Sequence, residues 1–305
     1  MRIGVIVNRG AKRVRRGPEE LAASLARLFE AHGADADIRI VDPNGLQAAC
    51  EEVCRNVGLE ALVAVGGDGT VGCLAAQLIG RSIPLGVIAA GTLNHFARDA
   101  GIAEDPAEAV AVIARGHVRH IDAADVNGRV FLNNSSVGLY PMMVVERAAE
   151  GRLLRCSKRL AMGWASLKAL RRFRADRLDL DIDGRRIEIR TPLLFVGNNR
   201  YDLRLLSAGR RQRLDRHELC LYAPLVKTRL ELLAVAARAL FGLSTGKHFL
   251  SMTGIKELQV GAAGRSARVA IDGETQIMAL PLHYRTRPGA IRLIVPQEEG
   301  GSAPL

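Results

Sequence analysis

Aromatic residues are scarce, at 4% of the 305 positions. With so few flat rings, and with no zinc-finger spacing or RNP-like pattern, the chain lacks the usual means of stacking and reading bases, so nucleic acid is not an expected partner. Cysteine is equally thin. The five residues Cys50, Cys54, Cys73, Cys156 and Cys220 are odd in number and form no C-x-x-C pair, which argues against a disulfide framework and a zinc site. Cys50 and Cys54 share an apolar helical face with Leu46, Val53 and Val57 and read as core. No stretch approaches the roughly 18 to 20 apolar residues of a membrane span, and the seven histidines are scattered without H-E-x-x-H spacing. The chain opens into a strand candidate, Arg2 to Val7, rather than a signal peptide, so a cytoplasmic location is expected. Acids are also in deficit: 32 against 43 basic residues, a formal charge of +11.

What the chain does have is the run Gly66-Gly67-Asp68-Gly69-Thr70, directly behind the apolar segment Ala61 to Val65. Three glycines let backbone amides approach a ligand with no Cβ in the way. The apolar segment reads as a buried strand and Val71 to Gly80 as a helix, so helix-terminal N–H groups aim into the loop and favour anions. Asp68 is then an awkward neighbour for phosphate oxygens unless a metal ion lies between them or the acid takes a proton. Both escapes point to phosphoryl transfer. An isolated run of this kind is also a common surface turn. A second loop of the same kind, Gly91-Thr92-Leu93-Asn94, follows another apolar strand candidate, Ile83 to Ile88. Two such loops at the carboxyl ends of parallel strands make a ligand crevice.

The first third alternates strand and helix: Arg2 to Asn8, a helix from Pro18 that ends before Gly33, Ile38 to Val41, Leu46 to Val57, then Ala61 to Val65. Such alternation predicts a parallel sheet covered by helices. After about Val118 the chain turns to strand candidates with turn signals, among them Arg129 to Leu132, Arg177 to Ile182, Leu193 to Val196, Glu218 to Tyr222, Ala267 to Ile271 and Ile291 to Val295. The expected organisation is an α/β nucleotide-binding domain over 1–122, a mostly antiparallel β domain with helical insertions over 123–296, and a tail over 297–305. Asp179, Asp181 and Asp183 alternate with Leu178, Leu180 and Ile182 and end in Asp183-Gly184, the pattern of a hairpin strand's wet face rather than a metal cluster.

With these loops and a late Asp272-Gly273-Glu274, the chain resembles the diacylglycerol kinase catalytic family, which includes bacterial lipid kinases and the sphingosine and ceramide kinases. The resemblance runs nearly end to end. It implies an N-terminal α/β domain similar to those of NAD kinases and phosphofructokinases, a C-terminal β-sandwich, and a nucleotide cleft between them that takes ATP with Mg2+. By position, Asn8 matches the asparagine opening the first nucleotide loop, and Gly66, Gly67, Asp68, Gly69 and Thr70 match the phosphate loop. Gly91, Thr92 and Asn94 match the G-T-x-N element. Asp68 and Glu274 match the residues given catalytic roles, Glu274 as general base on the lipid hydroxyl.

Several positions depart from the family pattern. The opening Asn-Pro-x-Ser-Gly is Asn8-Arg9-Gly10-Ala11-Lys12 here, with Lys12, Arg13, Arg15 and Arg16 as alternative phosphate contacts. The Asn-Glu pair after the phosphate loop is Gly72-Cys73, the aspartate of G-T-x-N-D-F-A is His95, and Arg216 stands where bacterial members place a metal-binding aspartate. Asp215 is left as a weak candidate ligand for an accessory cation, with Arg216 supplying the charge that the ion supplies elsewhere. A lipid substrate implies a membrane surface. Two segments are candidates to meet it: the basic, leucine-interleaved stretch 152–177, and 225–243, where Leu225, Leu232, Leu233, Ala236, Leu240 and Phe241 can share a helix side. The expected location is therefore cytoplasmic and peripheral to the inner face of the membrane. The sequence leaves a homodimer open. It also leaves two rival readings open: an NAD kinase, which shares the glycine loop, and a silent lipid-binding relative that kept the fold.

Overall fold

Apolar runs bounded by glycine become fully buried parallel strands in the first of two compact units, which comprises Met1–Asp122 and the returning segment from Gly289. The computed structural model describes residues 1–56, 58–138, 175–202, 210–240 and 248–297. Strand β1 (Arg2–Asn8) is buried from Ile3 to Val7, and β3 (Ala61–Gly66) and β4 (Leu85–Ala89) are buried throughout. Strands without a polar face need cover on both sides. Helices α1 (Pro18–Ala31) and α5 (Pro106–Arg115) supply one side, setting Leu25, Phe29, Val110 and Ile113 against Ile3, Val5, Val7, Val63 and Val65. Helices α2 (Leu46–Val53) and α3 (Asp68–Leu78) cover the other, where Val53 and Leu62 leave room only for glycine at position 4.

The strand order is β2 (Asp35–Val41), β1, β3, β4, all parallel, with Val5 opposite both Ile38 and Val63. Order and direction place the carboxyl ends of β1, β3 and β4 side by side, and the two glycine loops leave from those ends. A short helix α4 (His95–Asp99) follows the second loop. Two helices differ from the sequence expectation: α3 starts at Asp68 instead of Val71, and α2 stops at Val53.

Strand β5 (Val118–Val126) carries the chain into the second unit, Ala123–Pro288. One of its sheets has β8 (Asp176–Ile182), β9 (Arg185–Thr191), β13 (Glu257–Ala262) and the first part of β16 (Leu282–Ile294), with β5 and β6 (Arg129–Phe131) attached. The other runs β12 (Phe249–Ile255), β11 (Leu219–Pro224), β10 (Leu193–Asn198), β7 (Asn134–Gly138), β14 (Ser266–Ile271) and β15 (Glu274–Ala279), antiparallel at every step. Leu178, Leu180, Val260 and Tyr284 from the first sheet meet Leu194, Val196, Leu221 and Val269 from the second in one core. That is a β-sandwich.

Polar strands were the hard ones to see in the sequence. The run Asn134-Ser135-Ser136 is not among the strand candidates, yet it is central strand β7, where the buried Ser135 hydroxyl meets the Tyr284 hydroxyl at 3.1 Å. Strand β16 also departs from the expected boundary. Its last residues leave the sandwich at Gly289, and Leu293 pairs beside Leu85 of the first unit. An apolar strand does not declare which sheet it will join, so residues 289–296 were expected in the wrong unit.

Asp179 points outward as the alternation predicted, and the Asp183-Gly184 pair turns with positive φ at both positions. Asp181 accepts the Gly184 N–H, and Asp183 accepts those of Lys256 and Glu257, so these acids are spent on the hairpin. Helix α6 (Arg229–Leu240) begins four residues later than the 225–243 expectation. Thr228 and Glu231 set that start: Glu231 N donates to Thr228 Oγ1, and Lys227 N donates to the Glu231 carboxylate. No helix among the described residues is long and apolar enough to cross a membrane. The basic segment 152–177 lies outside the described residues except for its last three.

Candidate functional site

In the first unit, the residues of the phosphate-loop motif belong partly to the helix itself. Gly67 caps α3, and its carbonyl accepts the N–H groups of Thr70 and Val71, so Asp68, Gly69 and Thr70 form the first turn. Amides of a first turn have no intrahelical acceptor and carry the positive end of the helix dipole. The second loop lies against the first through bare backbone. A Cβ added at Gly91 would stand 2.5 Å from Gly67 Cα and 2.6 Å from Asn94 Oδ1. Alanine at Gly66 would collide with the Thr70 side chain. These glycines are therefore fixed by close approach.

Two side chains tie the loops together. The Asp68 carboxylate accepts the N–H of His95 at 3.1 Å and of Phe96 at 2.9 Å, capping α4 from a neighbouring helix. Each oxygen makes one of these bonds, which leaves lone pairs on both. Asn94 turns the second loop with φ of 48° and accepts the Gly91 N–H at 2.9 Å. From β1, Asn8 donates to the Thr70 hydroxyl at 2.8 Å while its own oxygen accepts the Gly10 N–H at 2.9 Å. Asn8, Gly66, Gly67, Asp68, Gly69, Thr70, Gly91 and Asn94 thus form one connected group, with Thr92 exposed beside it.

Arg13 is placed differently from the expectation. Its backbone N–H donates to Ala90 O, but its guanidinium is held by the Glu104 carboxylate and carbonyl, at 2.5 and 3.0 Å. An arginine so engaged is a strut between loops before it is a phosphate ligand. Arg15 likewise donates to Gly10 O.

Glu274 and Asp215 belong to the second unit, on different loops. Asp272 (φ 46°) and Gly273 (φ 87°) make a two-residue turn between β14 and β15, with Ile271 opposite Glu274. Glu274 is exposed at the head of β15. The Asp272 carboxylate turns inward, where the N–H groups of Leu132, Asn133 and Asn134 all donate to it at 2.9 to 3.0 Å. Burial pushes this carboxyl up to about 6, against the downward pull of those donors and of the Arg211 cation.

Arg211, 3% exposed, is the centre that sequence reading missed. Its guanidinium donates to Leu132 O, Asn198 O and the Asn133 side chain, and it lies 5.3 Å from the Tyr201 ring centre. The available signal was the paired asparagines, 133–134 and 198–199, of which Asn133 meets this cation through its side chain and Asn198 through its carbonyl.

Asp215 does not fit a metal ligand. Arg213 holds both its oxygens, at 2.9 and 3.1 Å. Among the described residues no three of His, Cys, Asp and Glu stand together as a metal site would require. An arginine cation against both oxygens disfavours a second cation beside them, and no further ligand is grouped with Asp215 among the described residues, so the accessory site expected there finds no support.

Comparison with known proteins bears on the first unit. Residues 2–126 match the diacylglycerol kinase catalytic domain. This segment belongs to that family. Within it, the chain is 39% identical over 124 residues to the "Probable lipid kinase YegS-like" of Pseudomonas aeruginosa PAO1, a match covering 40% of each chain. It is 32% identical over 127 residues to the "Probable lipid kinase YegS" of Escherichia coli O6:K15:H31, covering 40% of this chain and 42% of the relative. The match therefore spans about two fifths of each curated relative's length. A solved diacylglycerol kinase from Bacillus anthracis shares the fold over 97% of both chains, with a TM-score of 0.68 and 20% identity. The α/β unit and the β-sandwich are thus both features of diacylglycerol kinase structures.

Proposed function

We propose that the protein is a lipid kinase that moves the γ-phosphate of ATP to a lipid hydroxyl. The observation that carries this reading is the backbone contact of Gly67 with Gly91 at the first turn of α3. It leaves a Cβ-free surface of amides suited to phosphate oxygens. Asn8 and Asn94 fix the two loops, so the amides are set before a nucleotide arrives and little ordering is needed on binding. ATP would bring its own Mg2+, which neutralises the phosphate oxygens in such transfers. Asp68 has lone pairs left to meet that ion or to take a proton. Glu274, exposed on a turn whose partner Asp272 is pinned by three N–H groups, is the assigned base for the lipid hydroxyl.

Membrane contact is proposed through α6. Leu230 is 78% and Leu233 46% exposed, one turn apart on its outer side, with Lys227 and Arg229 exposed beside them. This is a different side from the one the sequence suggested, since Leu232 is half-buried and Val235 buried. Such a face suits an anionic lipid surface and a place on the inner side of the membrane.

The test offers labelled ATP with diacylglycerol, phosphatidylglycerol, sphingosine, undecaprenol and NAD. Labelled lipid is expected, and Glu274→Gln should lower turnover by about 10² to 10⁴ with ATP binding retained. Product from NAD alone would replace the reading with a nucleotide kinase. No product from any acceptor would favour a silent lipid-binding protein.

A further inference from the structure

The position expected to hold a metal ion is surrounded by arginines. In the second unit, a cavity of about 450 Å³ is walled by Arg200, Arg213, Arg216, Asp202 and Ser251, with Tyr222 also lining it. Three arginines, charged at any working pH, line a space large enough for a phosphate ester, with Arg213 turned onto Asp215. The acids nearby do not reverse the balance: Arg213 and Asp215 offset each other as an ion pair, and Asp202 is one carboxylate against Arg200 and Arg216.

The arginines stand on a pinned frame rather than on a loose loop. Tyr201 and Arg211 form a backbone bridge, and Asp202 N donates to Arg210 O. The buried Arg211 guanidinium locks that crossing to Leu132 O and Asn198 O. Arg216 N donates to the fully buried Asn199 side chain at 2.8 Å, and the Lys256 ammonium holds the His217 carbonyl. Below lies an aromatic floor, with Phe195 edge-on to Tyr201 at 5.3 Å and the Tyr222 hydroxyl donating to Tyr201 O. A fixed backbone on both sides of the cavity holds the cations apart without the help of a ligand, at a standing cost in repulsion. An anion relieves that cost; a divalent cation would add to it.

We propose that this cavity binds the oxyanion of a phosphate ester, with Arg200 and Arg216 as its principal donors. The site stands apart from the phosphoryl transfer proposed above and does not depend on it. Guanidinium forks match phosphate oxygens in pairs, and the Ser251 hydroxyl on the wall offers a neutral donor. The same chemistry would serve a lipid headgroup or a free phosphate ester.

The experiment titrates the full chain with inorganic phosphate and with glycerol phosphate by calorimetry, for the wild type, Arg200→Ala with Arg216→Ala, and Arg185→Ala with Arg186→Ala on the far hairpin as a charge-matched control. Both replaced pairs are exposed, so unchanged circular dichroism is expected in each variant. One binding event should be present in the wild type and the control and at least about tenfold weaker in the Arg200/Arg216 variant. A vesicle arm with phosphatidylglycerol then separates the sources: competition with glycerol phosphate assigns a lipid headgroup, and its absence assigns a free ester, and either upholds the site. Equal phosphate binding in the Arg200/Arg216 variant overturns the proposal. So does Mg2+ binding by the wild type that Asp215→Asn removes.

Discussion

Asn8 and Thr70 are joined at 2.8 Å, side chain to side chain, across 62 positions of sequence. The bond links the end of the first strand to the first turn of α3, and the Asn8 oxygen at the same time holds Gly10 N. One residue thus sets the spacing of two loops around the amides assigned to phosphate.

Asn8→Ala should therefore lose about 1 to 2 kcal/mol of stability, because a part-buried hydroxyl and a backbone N–H each lose a partner. Asn8→Asp separates fold from function. Its carboxylate can accept from both Gly10 N and the Thr70 hydroxyl, so urea denaturation should find stability close to wild type. It also sets a negative charge beside the proposed phosphate site, so a nucleotide titration should find weaker binding than in the wild type.

Gly91 tests the closeness of the two loops. A Cβ there would stand 2.5 Å from Gly67 Cα, and backbone on both sides has little room to yield. Gly91→Ala should cost about 1 to 3 kcal/mol by overpacking and should weaken nucleotide binding by opening the loops. Gly45→Ala is the matching control, since its nearest neighbour would be Val41 Cγ1 at an ordinary 3.6 Å. Thermal melts and nucleotide titrations of both variants check the contrast.

The glycine loops were legible in the sequence because their composition leaves few alternatives: apolar strand, glycines, then a helix. The parallel sheet followed from the same alternation. What could not be read was the fate of single members of uniform runs. Arg211 sits in Arg210-Arg211-Gln212-Arg213, a string that reads as solvated, and only the meeting of two strand ends buries one of its arginines. Arg13 and Asp215 were read by position as ligands, and both are held by partners, Glu104 and Arg213, whose approach no local spacing announces. Strand β7 was hidden because its buried Ser135 finds a partner, Tyr284, only across the sandwich.

Burial at 3% exposure and three buried acceptors set Arg211 apart from the exposed arginines of the second unit. Arg211→Met removes the donor to two buried carbonyls and to Asn133, and it takes the Arg211 charge away from the Asp272 carboxylate. A buried acceptor left without its donor costs about 1 to 3 kcal/mol, and with three acceptors orphaned, urea denaturation should show a loss at or above the top of that range. Arg211→Lys keeps the charge without the fork and should fall between Arg211→Met and wild type. An unchanged midpoint in Arg211→Met would show that water satisfies these groups.

Asp272 gives the unit a pH dependence of unusual sign for an acid. Its carboxyl is pushed from 3.8 up to about 6 in the folded protein, mainly by burial. The folded state therefore binds a proton more tightly than the unfolded chain, and stability from this residue is full below about pH 4, falls as pH rises to about 6, and is level above that. The groups facing it are Arg211, Tyr201 and the backbone N–H groups of 132–134, with Glu274 two residues along the hairpin. At about 1.4 kcal/mol per pH unit, the loss across the window is about 3 kcal/mol at most. Other carboxylates titrate over the same range, so the measurement is a difference. Wild type and Asp272→Asn are compared by urea denaturation at steps from pH 4 to 7. The wild type should lose stability relative to the variant between pH 4 and 6 and run parallel to it above. Parallel curves throughout would place the Asp272 carboxyl near its ordinary value and remove burial as its dominant influence.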